Sequence, residues 1–111
     1  MSPEEVKARI LRACRKLEAE GGKVVQSPCG IDGEYCPLQA VCMEHVGGFG
    51  LMWFPWYEGP KHELGLNNAQ VWSFIEAFDD KVPGTYTETF GHDPVFWHLG
   101  AEMRMELLEI R

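Results

Sequence analysis

The sequence contains no apolar run that approaches the ~18–20 residues a membrane-spanning helix needs. It has no low-complexity tract, and its twelve Gly and seven Pro follow no collagen period, so fibrous and linker-like classes are excluded. It has no phosphate-binding loop, Rossmann glycine signature or zinc-protease pattern, so no catalytic residue is assigned. Cations are scarce beyond residue 23, where four Lys or Arg face thirteen Asp or Glu. Residues 1–23 lean the other way, with six cations against four anions, and the whole chain carries −7. Duplex binding needs a dense basic patch to displace counterions from phosphate, so no nucleic-acid partner is expected. The N-terminus, Met1-Ser2-Pro3-Glu4-Glu5, reads as the start of a charged helix instead of a signal peptide, which makes the cytosol the expected compartment.

What is present is ordinary for a globular protein: 111 residues, 45% apolar, 24% charged and 12% aromatic. That length suits one domain over residues 1–111 with a single core. Ser2-Pro3-Glu4-Glu5 is a capping box with Pro at the first helical position. Val6, Ile10, Ala13, Cys14 and Leu17 then recur at helical spacing until Gly21-Gly22, which predicts a helix over about 3–20. Arg9, Arg12 and Lys16 share one flank of it, either as a solvated face or as a contact for an acidic partner. Lys23 to Ser27 reads as a short strand. A second helix is predicted over about 37–46 from Pro37, with Gly47-Gly48 as its stop.

Glu58-Gly59-Pro60 reads as a turn. Asn67 with Gln70 forms another capping box, and Val71, Phe74, Ile75 and Phe78 make the stripe of a third helix ending near Asp79-Asp80. Thr85 to Phe90 alternates small and large residues and reads as a strand or an extended loop. Asp93 caps a fourth helix whose stripe is Phe96, Leu99, Gly100, Met103, Leu107 and Ile110. The fold expected is mainly α, about four helices with long loops in one compact domain, and it leaves room for a small two-stranded β element. The core is expected to hold Ile10, Leu17, Val71, Ile75, Phe78, Phe96, Leu99, Met103 and Leu107.

Three groups of residues could carry function. Cys29, Cys36, Cys42 and His45 are of the type zinc prefers, and Cys42 and His45 would share a helix face. No Cys-x2-Cys knuckle accompanies them, so the competing reading makes Cys36 and Cys42 core thiols and His45 a cation at a helix end. Reduced thiols and no bound metal are expected, with Cys14 and Cys42 inside and Cys29 and Cys36 nearer the surface, and zinc is the alternative. His98 and Glu102, spaced i and i+4, could hold a divalent ion only if His92 or Asp93 joined them; otherwise they are a surface pair. The third group is the aromatic stretch over 49–57, where Trp53, Phe54, Trp56 and Tyr57 fall within five positions. Large aromatics with a polar tip dominate binding hot spots, although covering a core is their other common use.

Tyr35-Cys36-Pro37-Leu38-Gln39-Ala40-Val41 is one of three segments with a shared likeness. The second is Leu64-Gly65-Leu66, leading into a helix that ends Glu76-Ala77-Phe78-Asp79-Asp80. The third is Asp93-Pro94 followed by Leu99-Gly100-Ala101-Glu102-Met103-Arg104. Over about two thirds of its length the chain thereby resembles small uncharacterised accessory proteins of phages and bacterial mobile elements. The resemblance implies a cytosolic accessory protein and carries over no catalytic residue; the 49–57 stretch is where this chain departs most from the pattern. The function expected is contact with another protein, or self-association, through Trp53, Phe54, Trp56 and Tyr57. The alternatives are a zinc-stabilised module and a small enzyme or small-molecule binder with a pocket under the aromatic loop.

Overall fold

The computed structural model describes residues 2–26, 34–46 and 58–108. Among them the fold is mainly α: α1 (Pro3–Ala19), α2 (Pro37–Val46), α3 (Glu58–Leu64), α4 (Asn68–Phe78) and α5 (Pro94–Leu108). Two short strands, β1 (Lys23–Val24) and β2 (Glu34–Tyr35), pair in parallel with Val24 opposite Tyr35. The chain divides into two compact units, Met1–Gly65 and Leu66–Arg111.

In the first unit α1 packs on α2, and α2 on α3. The Ser2 hydroxyl accepts from the Glu5 N–H at 3.2 Å while the Glu5 carboxylate accepts from the Ser2 N–H at 3.1 Å. Two of the helix's free amides are thereby satisfied at its first turn. Hydrogen bonding to Ser2 also holds the Glu5 carboxyl below its usual range. Gly21, at φ 93°, ends the helix: its N–H bonds the Glu18 carbonyl and the Gly22 N–H bonds that of Leu17. Val6, Ile10, Ala13, Cys14 and Leu17 are all buried, as their spacing predicts.

Cys36-Pro37-Leu38-Gln39 opens α2 by the same logic, since the Gln39 side chain accepts from the Cys36 N–H at 2.9 Å. The fifth helix, α3, corrects the sequence reading, which took Glu58-Gly59-Pro60 for a turn. These residues form the first turn of α3, where the missing N–H of Pro60 leaves no helical bond unmade.

In the second unit α4 packs on α5. Asn67 caps α4, giving and taking bonds with Gln70 at 2.8 and 2.9 Å. The Asp93 carboxylate accepts from the Phe96 N–H at 3.1 Å, and Trp97 N–H bonds the Asp93 carbonyl at the start of α5. All nine residues expected in the core are buried. α4 ends in a Schellman motif, with the Lys81 N–H on the Glu76 carbonyl and the Asp80 N–H on that of Ala77. The left-handed position of that motif, usually glycine, is Asp80 at φ 59°. Arg104 reaches across from α5 to bond the Asp80 carboxylate at 2.6 Å and the Ala77 carbonyl at 3.4 Å. Thr85 to Phe90, read from sequence as a strand or extended loop, belong to a succession of turns over residues 83–90.

Candidate binding surface

The aromatic residues chosen from sequence, Trp53, Phe54, Trp56 and Tyr57, lie outside the described residues, as does Cys29. Of the four zinc candidates, Cys36 corrects the expectation of a place nearer the surface: it is buried, just before α2, where the start of the helix packs into the core. Cys42 and His45 fall on α2. Cys14 is buried too, and loss of solvent around it pushes its thiol up to about 12, with Glu18 adding to the effect and Arg15 opposing it. His98 and Glu102 are both exposed on α5. His92 turns its Nδ1 towards Glu76 Oε1, at 4.0 Å, instead of joining them. Among the described residues no three His, Cys, Asp or Glu side chains gather as metal ligands would.

The second unit contains an arrangement that the sequence reading missed. Glu76, near the end of α4, is fully buried. Its Oε2 accepts from the N–H groups of Gly84, Tyr86 and Thr87 at 3.0, 2.8 and 3.2 Å, and from the Thr87 hydroxyl at 3.2 Å. One carboxylate thus holds the loop after α4, and the turns of residues 83–90 follow from wrapping backbone amides around it. A buried charge is tolerated only when it is hydrogen-bonded in this way. Gly84 meets it at φ 100°, a backbone conformation that a side chain would strain. The loop closes with the Gly91 N–H on the Thr87 carbonyl, and the Asp93 N–H then bonds the Ser73 hydroxyl of α4 at 2.8 Å.

This clamp sets a group of aromatic side chains. The Phe90 ring stacks on the half-buried Trp72 ring, with centroids 6.0 Å apart and planes 9° from parallel. Tyr86 meets Trp72 edge-on at 6.0 Å and 72°, and its hydroxyl donates to Asp79 Oδ2 at 3.2 Å. Burial and the neighbouring Asp79 charge keep the Tyr86 hydroxyl protonated beyond its ordinary range. Phe90 nevertheless remains 43% exposed. The Trp97 ring neighbours both His92 and His98, with ring centroids 6.4 and 5.8 Å away. Glu76 Oε2 is fully occupied as an acceptor, so the carboxylate serves as the loop's anchor, and Phe90 is the exposed member of the aromatic group.

Only the exposed ring could have been suspected from sequence, as the large member of an alternating run. Its stacking partner lies eighteen positions away on α4. No protein-family model, curated protein or solved structure matches the chain.

Proposed function

We propose that this chain is a cytosolic accessory protein that acts by contact with another protein through exposed aromatic side chains. The observation that carries this reading is the Phe90–Trp72 stack, an aromatic pair held in place by the loop around Glu76 while one ring stays open to solvent. Rings whose positions are already fixed lose little entropy on binding, which is the property hot-spot residues share. Trp53, Phe54, Trp56 and Tyr57 supply a second aromatic group of the same chemistry in sequence. The likeness of three segments to accessory proteins of phages and mobile elements favours the same role. No helix among the described residues is long and apolar enough to cross a membrane.

The test compares the parent protein with Trp56→Ala and Phe90→Ala as baits for host-cell proteins, with sedimentation velocity alongside to detect self-association. At least one variant should keep the parent's melting temperature and weaken capture or self-association by roughly tenfold or more. If both variants capture and associate as the parent does, the contact reading fails.

A further inference from the structure

Resting on the reading that the exposed rings form a contact surface, we infer that the Trp72–Tyr86–Phe90 surface receives a cationic segment of a partner protein, one that presents arginine beside apolar side chains. Three observations converge on that chemistry. First, aromatic faces are electron-rich, and a guanidinium stacks on them while keeping its hydrogen-bonding edge in water. Phe90 has one face against Trp72 and is 43% exposed, so an aromatic surface is open to such a group.

Second, the charge around the rings is negative. Asp79 holds the Tyr86 hydroxyl, Glu88 is exposed two positions before Phe90, and Glu76 lies beneath the loop. Across residues 66–108 there are seven Asp or Glu against two Lys or Arg. Of those two cations, Arg104 is bound to Asp80 and the Ala77 carbonyl, and Lys81 is exposed. His92, also exposed, adds positive charge only when protonated. An excess of negative charge in the unit that carries an apolar surface attracts a basic partner and repels an acidic one. An apolar surface alone would not choose between them.

Third, the platform is built before the partner arrives. Four hydrogen bonds to Glu76 Oε2 and the Gly91–Thr87 closure hold residues 84–91, so the rings need no ordering on contact.

The experiment titrates the full-length, nitrogen-15-labelled chain with a capped hexapeptide of alternating leucine and arginine, and separately with its leucine–glutamate counterpart. The arginine peptide should shift the Trp72 indole signal and the amides of 84–91 in a saturable manner, and the glutamate peptide should not. Phe90→Ala should weaken the arginine peptide by about fivefold or more. Phe90→Leu, which keeps apolar bulk, guards against a folding defect and should lose the same preference. Glu88→Gln should weaken binding and flatten its salt dependence.

The inference is overturned if the arginine peptide leaves these signals unmoved, if it binds both Phe90 variants as well as the parent, or if the glutamate peptide binds equally. It is also overturned if the same signals move with protein concentration alone, which would make a second copy the occupant. Loss of protein capture by Phe90→Ala without any arginine-peptide binding would sink the cationic assignment and leave the proposed function standing.

Discussion

Gly100 of α5 lies so close to α4 that a Cβ built on it would overlap the Phe74 carbonyl oxygen. The same atom would stand 3.0 Å from the Phe74 carbonyl carbon and 3.1 Å from the Ala77 Cβ. The obstruction is backbone, which cannot rotate away, so glycine here sets the distance between the two helices. Gly100→Ala should therefore lower stability by about 1–3 kcal/mol, the usual cost of overpacking. At an open helical position the same change would raise stability by nearly 1 kcal/mol through helix propensity. The sign of the effect in a urea titration thus decides whether the contact exists.

Glu76 is the second point of strain if altered. Glu76→Gln places an amide where the Gly84, Tyr86 and Thr87 N–H groups converge, and removes the charge they stabilise. A loss of about 2–4 kcal/mol is expected, since several charge-assisted bonds weaken together. Hydrogen exchange should accelerate at residues 84–87 more than at the centre of α4. Uniform acceleration would mean that the loop is not held by this carboxylate.

Phe78 and Phe90 are both large and apolar, yet they should answer alanine substitution differently. Phe78 is buried in the second unit, its ring stacked 6.2 Å from that of Phe74. Phe78→Ala should cost about 3–5 kcal/mol through lost burial and the cavity left behind. Phe90→Ala should stay within about 1 kcal/mol, as for a partly exposed side chain. Thermal melts of the two variants, run together, check the pair.

The Cys14 thiol gives a pH dependence of known sign. Its ordinary value is 9.0, and burial raises it in the folded chain to about 12. Because the folded form resists losing the proton, the benefit of burying this thiol is complete below pH 9.0 and fades as pH rises towards 12. The stability difference between the parent and Cys14→Ala should therefore shrink from neutral pH to about pH 10.5. In native protein Cys14 should also resist a thiol-specific disulfide reagent until denaturant is added, because the thiolate is the reactive form. Rapid labelling of Cys14 in the folded state would contradict its burial.

Ser2 with Glu5, Asn67 with Gln70, and Asp93 with Phe96 were readable in the sequence by itself because each cap closes within three residues. The buried stripes were readable for the same reason: one face of a helix repeats at fixed short spacing. The start of α3 was missed although it too is local, because a Gly-Pro pair signals a turn more strongly than a first helical turn. Only the tertiary structure decided what Glu76, Gly100 and Phe90 do. A glutamate next to a stripe reads as a solvated charge until amides eight to eleven positions later fold over it. Gly100 reads as one more stripe member until the Phe74 backbone arrives beside it, and Phe90 reads as half a strand until Trp72 takes one of its faces. Caps and stripes are set by backbone geometry within a turn or two of helix, whereas these three roles depend on atoms that sequence distance separates and packing alone brings together.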